Sequence, residues 1–330
     1  MANEQVSGGT RAPELSLIIT AYDRREFVKE ALESALRQTL TRDRFEIILI
    51  KNFEERALDS FTAANGIRTI FCNEQSIGNM MWQALESSRG AIVTLLDDDD
   101  TFFRDKLECV LDVMKDGTVG YYHNGVEAIG LNGRHVRSPL EAIRHLTILS
   151  SSSSATALLR AIDKGGTFNS SSISFRREVA ETWCSVIKCI PTGPGFSLFV
   201  ASLLAGKKNV VDPRRLTKYR IRPTDSRESR LSTTRTAIEN ALHTLRIISS
   251  TEMGETLAAV LNYKECELNS RLYLYGSGPK RHYCLWYASG LLAARTTHKP
   301  LFRTFLALLV YSWPILPHYI REHMLDSGIA

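Results

Sequence analysis

The chain opens polar and then condenses into short apolar runs separated by amphipathic stretches. Residues 15–20 (LSLIIT) form a compact apolar run of strand length. After the turn AYDRR, apolar residues Phe27, Val28, Ala31, Leu32, Ala35 and Leu36 recur at helical spacing. Residues 45–50 (FEIILI), 67–72 (IRTIFC) and 91–96 (AIVTLL) repeat the strand signature, and a helix is predicted over 78–88. These strands are continuously apolar rather than alternating, which predicts a parallel sheet covered by helices on both faces. Ligands of such sheets bind beyond the carboxyl ends of the strands. Residues 21–24, 51–52, 73–74 and 97–100 are therefore predicted to border one crevice.

Beyond residue 117 the pattern loosens. Residues 118–128 and 132–136 read as strand and turn, and 140–163 as a helix around a serine-rich stretch. Residues 171–175 read as a strand, with Arg176 and Arg177 opening the next helix. A short apolar helix is predicted over 195–206, and short strands over 209–211 and 217–221. After Pro223 the pattern is helical: 233–248, 255–274, then tail helices from Tyr283 and Leu301. No internal repeat is present.

Composition narrows the class. With 44% hydrophobic residues in 330, the chain can bury a sizeable core without staples. Its six cysteines form no CxxC pair, which argues against a zinc knuckle or redox motif and for buried thiols in a reducing compartment. A net charge of +5 is too mild to announce a nucleic-acid partner. The excess is concentrated, with eight Arg or Lys against two acids over residues 214–235. The N-terminal residues lack the apolar core of a signal peptide, and the most apolar stretch, 304–320, is interrupted by Pro314 and Pro317. A cytoplasmic protein without a membrane-spanning helix is expected. The tail (283–320), rich in Trp, Tyr and Leu and flanked by Arg295, Lys299, Arg303 and Arg321, leaves two readings open. It is either a buried helical appendix or homo-oligomer contact, or an interfacial helix lying peripherally on the inner face of the membrane.

The sharpest chemical signal is the run Asp97, Asp98, Asp99 and Asp100 directly after a predicted buried strand. Adjacent carboxylates repel and hold one another's pKa up unless a cation or donors neutralise them. Hard oxygen ligands of this kind suit Mg2+ or Mn2+ bridging to phosphate. A solvated acidic turn is the alternative, and the position after a strand weighs against it.

Several stretches, in order, resemble glycosyltransferase family 2, the inverting transferases of GT-A fold. They are LSLIITAYDRREFVKEALESALRQT, then CNEQSIGNMMWQALESSRGAIVTLLDDDDTFFRDKLE, NSSSISFRRE and AGKKNVVDPRRLTKYRIRPTDS, together spanning roughly residues 14–226. The resemblance implies an α/β fold of the nucleotide-diphospho-sugar transferase type: a Rossmann-like mixed sheet with helices on both faces over residues 12–230, then a C-terminal helical appendix over 231–330. It implies a hexosyltransferase of the kind used in cell-surface glycan biosynthesis, with a nucleoside-diphosphate sugar donor and a saccharide or lipid-linked acceptor. Carried over by motif, Asp99 would be the metal ligand, and Asp97 and Asp98 would contact the donor ribose or assist the metal. Thr20 and Tyr22 would cradle the base, Arg24 would meet base or phosphate, and Arg220 and Arg222 would neutralise the leaving diphosphate.

Two departures qualify the resemblance. Where the family has acids after its second strand, this chain has Lys51–Asn52; Asn52 can still hydrogen-bond a base edge, but Lys51 cannot accept. Where the family places an acidic pair that includes the general base, the matching positions are Pro194 and Gly195. Inverting transfer to a hydroxyl needs a proton acceptor. Three readings follow: another acid serves, with Asp163 and Asp212 the nearest in sequence; the acceptor is already anionic; or the protein binds a nucleotide sugar without transferring it.

Overall fold

The computed structural model describes residues 12–274 apart from 75, 192 and 223–226, with the side chains of 227–231, 270, 271, 273 and 274 also undescribed. The tail helices expected from Tyr283 and Leu301 lie outside the described residues. Strands β1 (Leu15–Ala21), β2 (Phe45–Lys51), β3 (Arg68–Phe71) and β4 (Ile92–Asp97) pair in parallel in the order β3-β2-β1-β4. Helices α1 (Val28–Leu36), α2 (Arg56–Ala64) and α3 (Ile77–Glu86) make the crossovers that parallel neighbours require.

After β4 the sheet becomes mixed. β5 (Thr101–Phe102), β6 (Val119–Ile129), β7 (Thr147–Leu149), β8 (Ile173–Arg176) and β9 (Lys208–Arg220) extend it in the order β4-β8-β6-β9-β5, with β7 also on β9. β6 and β9 run parallel, and the other new pairings are antiparallel. The remaining helices are α4 (Lys106–Met114), α5 (Ala155–Asp163), α6 (Arg177–Glu181), α7 (Cys184–Lys188), α8 (Gly195–Leu204), α9 (Arg227–Ser249) and α10 (Glu255–Leu274).

Two expectations need correction. The helix expected over 140–163 begins only at Ala155, because the serine-rich stretch caps rather than continues it: Ser154 accepts a hydrogen bond from the Ala157 N–H. Residues 147–149 instead form β7. The two short strands expected near 209–211 and 217–221 are one strand, β9, whose register shifts beside Asn124, Gly125 and Val126 absorb the Asp212–Pro213 irregularity. The apolar pattern does not single out α2, whose buried residues are only Leu58 and Thr62.

Each sheet face carries its own core. On β1, Leu15, Leu17, Ile19 and Ala21 pack with α1 and α4, while Ile18 points the other way. That second face gathers Met80, Phe175, Phe199 and Ile187 together with Leu245 and Ile248 of α9 and Leu257, Val260 and Leu261 of α10. The predicted division at residue 230 therefore does not divide the core, because α9 and α10 seal the same apolar layer as α3 and α8. No helix among the described residues is long and apolar enough to cross a membrane.

This shared core predicts that Leu261→Ala, in the last described helix, lowers the stability of the whole unit by about 2–5 kcal/mol. Urea unfolding followed by circular dichroism should stay a single transition. A biphasic curve whose main step is unmoved would mark the helical region as a separate unit.

Candidate functional site: an acidic turn at the end of β4

Parallel pairing brings the strand ends to one edge, with Thr20 opposite Ile50 on one side and Asp97 on the other. The Asp97 N–H donates to Ser171 Oγ at 2.9 Å, and its carbonyl accepts from the Asp100 N–H at 3.3 Å. This tight turn hands the chain to β5 and aims the four carboxylates differently. Asp97 lines a cavity and hydrogen-bonds the Thr20 hydroxyl. Asp98, 1% exposed, lies 2.5 Å from Arg24 Nη2. Asp99 accepts from Arg24 Nη1 and Arg222 Nε, each at 2.8 Å. Asp100 accepts from the Arg220 N–H at 2.9 Å.

Burial, followed by repulsion from Asp100 and Asp99, pushes Asp97 up to about 7. Burial raises Asp98 to about 7 against the pull of Arg24. Asp100 reaches about 7 through burial and then the Asp99 charge. The turn is thus short of positive charge, although the Arg24 and Arg222 guanidinium groups already engage its carboxylates. Both Asp98 oxygens are buried without an aligned hydrogen bond. Hard carboxylate oxygens in need of a cation fit a divalent ion. Among the described residues no group of three or more His, Cys, Asp or Glu forms a cage around one point.

The structure separates the two arginines predicted from the basic stretch. Arg220 is 2% exposed and its donors are taken. Nε donates to the Asp99 carbonyl (2.7 Å), Nη1 to the Leu131 carbonyl (3.0 Å) and Nη2 to Glu30 (2.6 Å), with the guanidinium 3.9 Å from the Phe27 ring centroid. This corrects the expectation that Arg220 meets the diphosphate: it braces the turn from behind. Arg222 lies at the surface and makes its short contact through Asp99.

At the neighbouring corner, Asn52 and Asp23 bond reciprocally: the Asp23 N–H donates to Asn52 Oδ1, and Asn52 Nδ2 donates to Asp23 Oδ1, each at 2.8 Å. Asp23 holds a left-handed φ of 56°, a conformation Asp tolerates better than most residues. Asp23 therefore puts a carboxylate beside Asn52, where the sequence after β2 lacks one. Lys51 turns away from this corner, buried against the Phe53 carbonyl and Asp59. Tyr22 is half-buried against the α3 face of the core.

A cavity of about 630 Å3 extends from Asp97 beneath the N-terminus of α8 to the α9–α10 pair. Asn169, Ser170 and Tyr219 give it a polar side, and Ala241, Leu245 and Leu268 an apolar one. The base candidates fall unequally around it. Asp212 accepts from the Tyr122 hydroxyl and the Arg214 guanidinium, on the α4 side of the sheet. It is a structural carboxylate, which corrects its candidacy. Asp163 ends α5 directly after the cavity residue Ile162 and pairs at 3.4 Å with Lys264, which also lines the cavity. At Gly195 a Cβ would sit 2.3 Å from the Thr167 carbonyl oxygen. The backbone passes too close for any side chain, so no acid could stand there.

Sequence reasoning misses Asp23, Tyr219, Lys264 and two fully buried groups. Lys106 donates to the Ser171 carbonyl and to Thr217 Oγ1 (2.9 Å); burial lowers its pKa well below the usual lysine range, opposed by Asp100. His123 Nε2 meets the Phe168 carbonyl at 2.6 Å. A lysine early in a helix reads as solvated and a lone histidine in a strand as ordinary, so neither carries a signal.

A mixed sheet of this order with an acidic turn at a strand edge is the architecture of GT-A transferases. Residues 16–183, just over half of the chain, match the pattern of Glycosyl transferase family 2, and the chain belongs to that family. An uncharacterized glycosyltransferase of Rickettsia felis is 25% identical over 142 residues, covering 42% of this chain and 23% of the relative; a Rickettsia bellii homologue is 26% identical over the same length. The match spans less than a quarter of the length of these curated relatives. In fold, the chain is similar to S. aureus TarS residues 1–349 solved with UDP-GlcNAc (TM-score 0.59, 14% identity, 96% of this chain and 92% of that one). It is also similar to the mannosyltransferase PcManGT of Pyrobaculum calidifontis solved with GDP-Man and Mn2+ (TM-score 0.54, 14% identity, 92% and 88%).

Burial holds the His123 imidazole down at about 4, below its ordinary 6.5. Protonation therefore favours the unfolded chain: the contribution of His123 is complete above pH 6.5 and is lost as pH falls towards 4. Compared with His123→Gln, the wild type should lose on the order of 2–3 kcal/mol more across that window. Urea titrations at stepped pH measure the difference, and parallel curves for the two proteins would contradict it.

Proposed function

We propose that this protein transfers a sugar from a nucleoside-diphosphate sugar to an acceptor hydroxyl with inversion at the anomeric carbon. The observation that carries this reading is the buried acidic turn, short of positive charge, at the mouth of a cavity large enough for a sugar and part of an acceptor. The ligand classes in TarS and PcManGT, UDP-GlcNAc and GDP-Man with Mn2+, support the same donor class here.

Asp99, assisted by Asp97 and Asp98, would hold Mg2+ or Mn2+, which supplies the charge that neutralises the donor diphosphate. Arg24 and Arg222 act as stand-in counter-charges, engaging Asp98 and Asp99. Once the carboxylates have another partner, Arg222 is free to turn to the diphosphate oxygens and stabilise the leaving group. Thr20, Tyr22 and the Asp23–Asn52 pair line the strand edge where the nucleoside lies. The acceptor, a saccharide or lipid-linked saccharide, enters by the cavity wall that mixes Asn169 and Ser170 with Leu245 and Leu268.

In the transfer, the acceptor oxygen bonds to the anomeric carbon and the bond from that carbon to the diphosphate oxygen breaks. The electron pair leaves with the nucleoside diphosphate. The acceptor proton passes to Asp163, which directly follows the cavity residue Ile162 and pairs with the cavity residue Lys264.

Asp99→Asn is expected to weaken Mn2+-dependent donor binding by about 10- to 100-fold, as damage to a metal site does. Calorimetric titration of a panel of nucleoside-diphosphate sugars with and without Mn2+ reads this directly, and equal affinity in variant and wild type would refute the role. Asp163→Asn should lower kcat by roughly 100- to 10,000-fold, the usual worth of a general base, with donor affinity intact. Undiminished turnover would assign the negative charge to the acceptor itself.

A further inference from the structure

On the opposite side of β9 from the sugar cavity lies a second cleft, of about 380 Å3. Side chains alternate along a strand, and here the alternation splits two environments: Tyr219 lines the cavity beside Asp97, whereas Lys218 and Arg220 line the second cleft. Arg37 of α1 and Arg104, just beyond β5, complete a ring of four cations, facing the single carboxylate Glu30.

The charges in this cleft are unequally satisfied. Glu30 is taken by Arg220 at 2.6 Å. Arg37 meets Glu33 at 3.5 Å on the surface, a contact of little worth in water. Among the described residues Arg104 and Lys218 have no carboxylate partner. Arg104 Nε reaches only the Arg37 carbonyl at 3.4 Å, and Lys218 Nζ sits 4.9 Å from the Phe103 ring centroid. Lys218 is fixed opposite Thr101 in the β5–β9 ladder, so its position is set by the sheet rather than by a loose side chain. Converging cations without counter-charge repel one another, and an anion bound among them relieves that repulsion while accepting from guanidinium forks.

From this geometry we infer that the second cleft is a phosphate-binding site, formed by Arg37, Arg104 and Lys218 and floored by the Arg220–Glu30 pair, that takes the phosphate group of a phosphate ester. Arg104 and Lys218, without a carboxylate partner, and Arg37, paired only at the surface with Glu33, suit a phosphate better than a monovalent carboxylate. The cleft is larger than a phosphate alone and leaves room for the esterified group. The site is separate from the donor site and does not depend on the transfer reaction, so its failure and that of the proposed activity are distinguishable.

The test uses the full chain. Binding of inorganic phosphate and of glycerol 3-phosphate is measured by calorimetry at low salt, in wild type and in Arg104→Ser/Lys218→Ser. Both ligands should bind the wild type, weakened about tenfold or more in the double variant, since charge-assisted hydrogen bonds contribute roughly 1.5–3 kcal/mol each. The milder Arg104→Gln variant, expected to lose part of that affinity, keeps the test open if the double variant misfolds, and urea unfolding followed by circular dichroism serves as the folding control. Co-sedimentation with vesicles containing phosphatidic acid, a phosphomonoester lipid, against phosphatidylcholine alone, separates the sources. Sedimentation that the double substitution abolishes identifies a lipid headgroup, while binding of the soluble esters without sedimentation identifies a soluble ester. Equal phosphate affinity in wild type and double variant, or no binding of either ester at millimolar concentration, would overturn the assignment.

Discussion

Four carboxylates crowd into one tight turn at the end of β4, and most of the surrounding architecture serves to keep that turn folded. Taking such charges out of water is costly, and leaving any of them without compensation costs more than the pairing returns. The compensation arrives from distant sequence. Arg24 comes from the turn after β1, and the Arg220 backbone and side chain and Arg222 come from the end of β9. The turn thereby fastens the first strand, the fourth strand and the last strand to one another.

Two arginines separated by one residue divide the work because the strand ends between them. Arg220 is still inside β9, where Glu30, the Leu131 carbonyl and the Asp99 carbonyl absorb its donors and Phe27 covers its face. Arg222 has left the sheet and reaches Asp99 from the solvent side. The first sets the shape of the turn, and the second engages its Asp99 carboxylate. Sequence alone gave both the same standing, since burial is a property of the assembled sheet.

The helical C-terminal region is as much a part of the site as the sheet. α9 and α10 bury Leu245, Ile248 and Leu261 in the same apolar layer as Phe175 and Phe199, and the same helices present Ala241, Leu268 and Lys264 to the cavity. Gly195 itself leaves no room for a side chain. The backbone at Gly195 lies against the Thr167 carbonyl, and Asp163 pairs with Lys264 where α5 meets α10.

The sequence by itself determined the parallel half of the sheet, the crossover helices α1 and α3 and the acidic turn at its edge. Those features are local: buried strands are continuous apolar runs, amphipathic helices show their period, and four consecutive aspartates need no partner to be noticed. Only the tertiary structure decided which carboxylate meets which arginine, that Asp212 is bonded to Tyr122 and Arg214 while Asp163 pairs with the cavity residue Lys264, and that Asp23 pairs with Asn52 beside the end of β2. It also decided that one strand, β9, faces Tyr219 to one cleft and Lys218 to another. These are outcomes of long-range pairing and burial, and the same Asp, Arg or Lys reads alike in sequence whether it ends in water, in an ion pair or sealed in the core.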